Sequence, residues 1–153
     1  MNSYSIYTDG SCRVRTTKEG SWAFAIIDDS TGELVIEDSG WVSPKTTSPK
    51  MEMKAVIEGV SAAINSLPHG SITIYSDSEV VIKGITEWIH NWKKRNWKSS
   101  SGGYVKNISM WKTLEQLTQI IDVDFTWVKG HNGNQWNEYV HNLADQAVYN
   151  KTK

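Results

Sequence analysis

The chain of 153 residues has one cysteine and a formal net charge of −1 at pH 7. This length predicts one domain with a substantial core, the single cysteine excludes an internal disulfide, and the balanced charge points to no partner. Apolar runs stay well short of the ~20 residues of a membrane span, and the N-terminus lacks a signal pattern, so we expect a soluble, cytoplasmic protein. The charge is unevenly distributed, however. Residues 83–112 hold seven Lys or Arg and one acid, which indicates a surface that contacts a polyanion.

The first predicted element is a strand that ends in an acid. Residues 3–8 combine alternating β-branched and aromatic side chains, and the run stops at Asp9-Gly10-Ser11. Taken alone, Asp9 is most simply explained by an Asx turn. Two further strands, at about 22–27 and 34–42, follow after a short turn each, which predicts an antiparallel meander.

A helix is predicted next, at about 50–67, because apolar residues recur there at helical spacing on one face. Glu52 lies in its first turn, at the border of the apolar face. By itself it needs no other role than to complement the helix dipole. A strand at 71–76 follows, and the order strand–helix–strand predicts that it runs parallel to an earlier strand through a right-handed crossover.

Asp77 comes directly after this strand, ahead of a helix for which Ser76 and Glu79 form a candidate capping box. If the strands that end at Asp9 and Asp77 are parallel neighbours, their carboxylates emerge at one sheet edge about 4.8 Å apart. Glu52 can reach the same edge. Three carboxylates in one pocket repel each other unless a positive group binds there. Hard divalent cations bind oxygen ligands, and two of them ~3.5–4 Å apart support phosphoryl transfer.

The basic segment of the chain also contains tryptophans. Apolar residues at 81–92 continue at helical spacing and lead into the cations of 93–98 and the Ser/Gly-rich stretch 99–103. Lys and Arg contact phosphates, and Trp rings stack on sugars or bases. Core packing explains Trp88 and Trp92 equally well, and the cations alone are also compatible with a solvated face. Together with the acids, the segment favours a metal-dependent nuclease.

Three elements complete the chain. A helix is predicted at about 105–119, a strand at 123–128 and a last helix from about 135, after a loop of small and polar residues at 129–134. The last helix carries apolar residues on one face, so we expect it to pack on the sheet.

In this order, the motifs resemble those of type 1 ribonucleases H of the bacterial kind, over nearly the whole chain. The resemblance rests on YTDGSC at 7–12, MEM at 51–53, Asp77-Ser78, the tryptophan-rich segment 84–98 and WVKGHNG at 127–133. It implies an α/β ribonuclease H-like fold, with a five-stranded mixed sheet of three antiparallel and two parallel strands and helices on both faces. Residues 1–153 are then a single domain with a basic protrusion at about 88–104.

The resemblance also implies an activity. The protein is expected to be a monomeric endoribonuclease that hydrolyses the RNA strand of RNA–DNA hybrids and leaves 5′-phosphate and 3′-hydroxyl ends. The expected cofactor is Mg²⁺ or Mn²⁺, with two ions per site when substrate is bound. Asp9, Glu52 and Asp77 match the first three metal-binding acids of the family, and His131 matches a loop histidine that moves protons or helps product release.

Substrate contacts are implied in the same way. Cys12 matches a position beside the 2′-hydroxyls of the RNA strand, the group that distinguishes RNA from DNA. Ser48 stands where an amide side chain usually reads the RNA strand, and Thr47 and Asn107 match positions that hold a DNA phosphate. The positions that match the substrate-binding protrusion are Trp88, Trp92, Lys93, Lys94, Arg95, Trp97 and Lys98.

One position departs from the family pattern. His141 stands where the fourth metal-binding acid is expected, and Asp145 is an acid one turn later, ~6 Å further along the helix axis and a weak substitute. His141 is either a surface residue in a site that has lost a ligand, or a nitrogen ligand or water-orienting group. Imidazole suits Mn²⁺ better than Mg²⁺.

The departure leaves three classes of function. The first is an active ribonuclease H, and the second is a hybrid-binding module with weak or Mn²⁺-dependent cleavage. The third is a relative with the same fold that cuts or joins DNA, which the basic protrusion and His131 disfavour.

Overall fold

The computed structural model describes residues 2–13, 16–129 and 134–150. Its five strands are β1 (Asn2–Cys12), β2 (Gly20–Asp28), β3 (Glu33–Val42), β4 (Gly70–Ser76) and β5 (Val123–Trp127). They form one sheet in the order β3-β2-β1-β4-β5. The first three are antiparallel neighbours, whereas β4 pairs in parallel with both β1 and β5. The expected meander and the parallel crossover are therefore confirmed.

The helices are α1 (Ser48–Ser66), α2 (Glu79–Lys83), α3 (Ile89–Lys94), α4 (Ile108–Ile120) and α5 (Gln135–Asn150). A π-helical segment, Gly84–Trp88, joins α2 to α3. Within the described ranges, no helix combines the length and the apolar character that a membrane crossing requires.

Two helix boundaries differ from the sequence prediction because of local backbone chemistry. The first helix starts two residues earlier than predicted, since Thr47 caps it and Pro49 lies in the first turn, where a missing N–H costs nothing. The helix predicted from residue 105 starts at Ile108 instead. Asn107 has a left-handed φ of 62°, a conformation that interrupts a right-handed helix.

The single helix predicted at 81–92 is also divided. Its break is at Gly84, where an added Cβ would come within 2.1 Å of the Trp111 ring. Only glycine permits this close approach between the start of the π-helical segment and α4. The backbone nevertheless keeps right-handed helical φ and ψ at Lys83, Gly84, Trp88 and Ile89, so α2, the π-helical segment and α3 follow one another without a turn.

The sheet has a core on each face because the side chains of β2 alternate in size. Trp22, Phe24 and Ile26 pack on one face in the cluster that includes residues of α1 and α4. On the other face, Ala23 and Ala25 pack against Val140 and Ala144 of α5. Small side chains on this face let α5 lie close to β1 and β2, which brings its first turns next to the end of β1.

Candidate active site

The three predicted acids meet at one edge of the sheet. Asp9 and Asp77 each lie two residues beyond the paired Tyr7 and Tyr75 of the parallel strands β1 and β4. Glu52 projects from the first turns of α1. One carboxylate oxygen of each acid lies within 4.8 Å of the others. The predicted convergence is confirmed, and we call these three residues the acid centre.

Gly10 allows α1 to approach β1 closely enough to complete the acid centre. A Cβ on Gly10 would come within 2.3 Å of the Met51 carbonyl carbon and 2.4 Å of the Glu52 nitrogen. The backbone N–H of Gly10 also hydrogen-bonds to the carboxyls of Asp9 and Glu52. The glycine after the first acid is therefore a structural requirement of the site.

The acid centre is electrostatically strained. Burial raises the pKa of Asp9 to about 6, and the charge of Asp77 adds to this rise. Burial also raises the pKa of Glu52 well above its usual range, with Asp9 and Asp77 contributing further. Glu52 Oε1 is buried without a hydrogen-bond partner among the described residues. An oxygen-only set with an unsatisfied buried oxygen fits a hard divalent cation.

His141 contacts the acid centre directly. Its Nδ1 lies 3.1 Å from Asp9 Oδ2, and this contact lowers the pKa of Asp9 against the effect of burial. Its Nε2 lies 3.5 Å from Asp145 Oδ2. Among the described residues, the acid centre is the one group of three or more His, Cys, Asp or Glu side chains whose ligand atoms all lie within 4.8 Å of one another. Asp145 is not part of this group, and it contacts the imidazole of His141 instead.

The predicted loop histidine, His131, lies outside the described residues, and its role stays a prediction. Asn134, at the end of the same loop, caps α5. Its side-chain Oδ1 accepts hydrogen bonds from the backbone N–H groups of Trp136 and Asn137 at 3.1 and 2.9 Å.

Trp127 is a site residue to which the sequence analysis gave no role. Its indole N–H donates a hydrogen bond of 3.1 Å to the backbone carbonyl of Asp77. The end of β5 thus braces the turn that carries Asp77. In the sequence, the available signal for this contact was a tryptophan at the end of the last strand.

The capping box proposed for this turn is wrong. Ser78 caps α2, since its Oγ accepts from the backbone N–H of Val81, whereas Ser76 Oγ accepts from the N–H of Ser78. The two serines accept from the backbone N–H groups of Ser78 and Val81 and so shape the turn around Asp77.

The tryptophans of the basic protrusion pack around Trp92 with tilted or edge-on rings, together with Trp111 of α4. The Trp92 ring centroid lies 6.1 Å from Trp88, 6.4 Å from Trp97 and 5.2 Å from Trp111. Trp92 and Trp97 also pack against the main core, while Trp88 keeps 38% of its surface exposed. The group therefore has a buried side and an exposed side, as aromatic residues that serve both core and ligand require.

The cations of the basic protrusion are not equivalent. Lys93 forms an ion pair with Glu115 at 2.8 Å, and Lys98 lies over the Tyr104 ring at 5.7 Å. Lys94 and Arg95 are exposed at the end of α3. A phosphate contact by Lys93 has to compete with its ion pair, whereas exposed Lys94 and Arg95 offer charge to a polyanion.

The two residues matched to a DNA phosphate lie together. Thr47 and Asn107 line a cavity of about 530 Å³ with Pro49, Lys50 and Lys106. The Thr47 hydroxyl accepts from the backbone N–H of Lys50, so its own proton can serve another acceptor. The sequence analysis did not identify the two lysines of this cavity.

An adjoining cavity of about 220 Å³ connects this region with the tryptophans. Pro49, Lys106 and Asn107 line both cavities, and Trp88 and Trp92 line the second. Together they form one groove, whose lining includes Met53, the residue next to Glu52.

The positions matched to the RNA strand are Cys12, at the end of β1, and Ser48, the first residue of α1. Cys12 Sγ donates to the Thr46 carbonyl at 3.3 Å and to the Lys18 carbonyl at 3.6 Å, and Ser48 is half-buried at the start of α1. The thiol thus joins two loops, and contacts of Cys12 and Ser48 with RNA stay predictions.

Comparisons with known proteins agree with this geometry. A family model described as RNase H matches residues 1–149. A Ribonuclease H of Albidiferax ferrireducens is 39% identical over 150 residues, covering 97% of this chain and 95% of the relative. A Ribonuclease H of Treponema denticola is 40% identical over 154 residues, covering 93% of this chain and 94% of the relative.

Solved structures are similar as well. LC9-RNase H1, described as a type 1 RNase H with the type 2 active-site motif, has a TM-score of 0.83 and 29% identity, over 99% of this chain and 74% of that chain. A foamy viral protease-reverse transcriptase in complex with an RNA/DNA hybrid has a TM-score of 0.84 over 97% of this chain and 20% of that chain. Its identity is 20%, so this likeness concerns the fold alone.

Proposed function

The chain belongs to the ribonuclease H family, and we propose that it hydrolyses the RNA strand of RNA–DNA hybrids at the acid centre. The activity is that of a divalent-metal-dependent endonuclease. The observation that supports the acid centre as its site is the convergence of Asp9, Glu52 and Asp77 within 4.8 Å. This edge of the sheet adjoins the groove of the basic protrusion, where a nucleic acid finds cations and aromatic rings together.

The acids act as the ligands of Mg²⁺ or Mn²⁺, with two ions per site when substrate is bound. When bound, such ions activate water and stabilise the leaving oxygen of a phosphodiester. Asp9 and Glu52 have to lose their protons to bind a cation, and a bound cation would offset both the burial and the charge repulsion that raise their pKa values. The products carry 5′-phosphate and 3′-hydroxyl ends.

His141 takes the place of a fourth acid ligand. In the cation-bound protein its Nδ1, which now contacts Asp9, serves as a neutral nitrogen ligand or orients water. The exchange of a carboxylate for imidazole favours Mn²⁺ over Mg²⁺. His131 transfers protons or aids product release.

The hybrid lies with its DNA strand in the groove. Thr47 and Asn107 hold a DNA phosphate, and Trp88 and Trp92 contact the adjoining sugars and bases. Cations of the basic protrusion contact further phosphates. The RNA strand passes Cys12 and Ser48, next to the acid centre.

We propose further that residues 1–153 act as one domain, with the basic protrusion at about 88–104, and as a monomer. The protein acts in the cytoplasm and without a membrane partner. Size-exclusion chromatography with light scattering tests the monomer, and cell fractionation tests the location. Both tests are independent of activity.

A hybrid-binding module with weak cleavage is the second candidate, and the observation that favours it is His141 in place of the fourth acid. The relatives at 39–40% identity are named Ribonuclease H, which favours the enzyme over the binding module. They equally disfavour a relative that cuts or joins DNA.

The decisive experiment incubates labelled RNA–DNA hybrid, double-stranded RNA and double-stranded DNA with the protein and Mg²⁺ or Mn²⁺. We expect cleavage of the RNA strand of the hybrid alone, and no cleavage by the Asp9→Asn variant. Binding of the hybrid without cleavage in either metal would establish the binding module instead.

A further inference from the structure

Asp145 lies one helical turn beyond His141 on α5, and the proposed function gives it no role. Its Oδ2 is 3.5 Å from His141 Nε2, while His141 Nδ1 is 3.1 Å from Asp9 Oδ2. The imidazole ring therefore lies between two carboxylates. One carboxylate belongs to the acid centre and the other does not.

The packing of α5 holds this arrangement in place. Val140 and Ala144 are buried against Ala23 and Ala25 of β2. Each of these buried residues directly precedes one member of the pair, so the rotation of α5 is set at both positions. His141 and Asp145 consequently share one side of the helix at i,i+4 spacing.

The two ring nitrogens of a neutral imidazole have different roles. One carries the proton and donates it, and the other carries the lone pair and can bind a cation. A histidine that binds a metal almost always donates its other ring N–H to a carboxylate or carbonyl, which sets the tautomer and the ring orientation. In this protein Nδ1 points to the acid centre, and the carboxylate at Nε2 is that of Asp145.

We propose that, with a cation bound at the acid centre, Asp145 is a positioning residue, which accepts the N–H of His141 Nε2 and so leaves the Nδ1 lone pair to the cation. The inference rests on the proposed function, in which His141 serves as a ligand. It differs from a displaced fourth acid, because Asp145 acts through the imidazole and not on the cation. The side chain of Asp145 is 59% exposed, so we expect an effect at the lower end of the range for such partners, about tenfold in metal affinity.

The first test measures Mn²⁺ binding to the substrate-free protein by titration calorimetry. Asp145→Ala should weaken Mn²⁺ binding about tenfold. Asp145→Asn should restore most of the affinity, because the amide oxygen still accepts the N–H. Glu138→Ala, which removes an exposed acid of the same helix, is the matched control and should leave the affinity unchanged. Unchanged affinity in Asp145→Ala, or no rescue by Asn, overturns the proposal.

A double-mutant cycle separates positioning from simple charge attraction. In the His141→Ala background, Asp145→Ala should cause no further loss of Mn²⁺ affinity, because the ring through which Asp145 acts is gone. An equal loss in both backgrounds means that Asp145 attracts the cation by its charge, which overturns the inference. If His141→Ala itself leaves the affinity unchanged, the ligand role of His141 in the proposed function fails. If His141→Ala weakens Mn²⁺ binding but Asp145→Ala does not, only the positioning role of Asp145 is overturned.

Ring nitrogen chemical shifts give a readout independent of affinity. With Mg²⁺, which is diamagnetic, His141 should be protonated at Nε2 in the wild type and in Asp145→Asn. Asp145→Ala should show a mixture of tautomers. A wild-type His141 protonated at Nδ1 in the presence of Mg²⁺ overturns the proposal.

Discussion

The acid centre and the basic protrusion illustrate opposite ways to hold functional side chains. The acid centre lies where β1, β4 and α1 meet, and burial, together with repulsion among its carboxylates, raises the pKa values of Asp9 and Glu52. The basic protrusion lies on the surface and is held by contacts between its tilted tryptophan rings and by the Lys93–Glu115 ion pair. It even carries Trp97 at a φ of 64°, which is unusual for a bulky residue.

The two regions differ in how their charged side chains affect the stability of the folded protein. In the acid centre, like charges are held together by a core that is stable without them, so the strain persists until a cation binds. In the basic protrusion, the exposed cations contribute little to folding and stay hydrated until a polyanion replaces their counterions. Changes in the acid centre should therefore affect cleavage and stability in opposite directions, whereas changes to the exposed cations of the protrusion should affect binding alone.

The largest expected effect is that of Asp9→Asn. Loss of a ligand removes several kcal/mol of transition-state stabilisation, so we expect cleavage to fall about 1,000-fold. Hybrid binding should be largely retained. The metal-free protein should melt at a higher temperature, because a buried charge is lost. Cleavage assays, hybrid titrations and thermal melts measure the three quantities, and near-normal turnover would contradict the assignment.

The second effect concerns pH and the metal-free protein. Burial raises the pKa of Asp9 to about 6 in the folded protein, above its ordinary value of 3.8, so the folded state binds more protons than the unfolded state between these two pH values. Stability from this group is present below pH ~4 and is lost as the pH rises through ~6, by an amount on the order of 3 kcal/mol. Denaturant unfolding of wild type and Asp9→Asn across this window measures it, since only the difference between them reports on Asp9. If the free energies of unfolding of the two proteins depended on pH in the same way, the pKa of Asp9 would not be raised in the folded state.

Substitutions at His141 come next. His141→Asp places another negative charge beside Asp9, which should destabilise the metal-free protein by on the order of 1 kcal/mol and lower its melting temperature by about 2–4 °C. The same charge should raise Mg²⁺-supported cleavage. His141→Ala should lower Mn²⁺-supported cleavage about tenfold. Rates in Mg²⁺ and Mn²⁺ for the three side chains measure this. Identical rates for His and Ala would exclude a catalytic part for His141.

The smallest effect distinguishes two neighbouring lysines. Each exposed cation that contacts a phosphate contributes about 0.7–0.9 to the slope of log affinity against log salt. Lys94→Ala should reduce this slope by about that amount, whereas Lys93→Ala should reduce it less, because Lys93 is paired with Glu115. Replacing Lys93, Lys94 and Arg95 together should flatten the slope further. Hybrid titrations at several salt concentrations provide the comparison, and an unchanged slope in the triple variant would mean that the segment is only a solvated face.

Much of the acid centre followed from the sequence alone. Strand alternation up to Asp9 and up to Asp77, with one amphipathic helix between them, predicted a parallel pair with both acids at one edge. These signals are local and periodic, and the backbone geometry of strands and helices converts them into position with little dependence on neighbours. The family resemblance matched both Thr47 and Asn107 to positions that hold a DNA phosphate, and the two residues line one cavity.

Other features depended on contacts between elements distant in sequence. The Trp111 ring lies against Gly84, where the π-helical segment begins. The indole of Trp127 donates a hydrogen bond to the carbonyl of Asp77. The two contacts of His141 depend on how α5 packs against the alanines of β2. Sequence pattern tells which face of a helix is apolar, but not the depth and rotation at which it packs. Those are set by the sizes of the side chains it meets across the sheet. The tertiary structure alone therefore decided that the imidazole of His141 lies between Asp9 and Asp145.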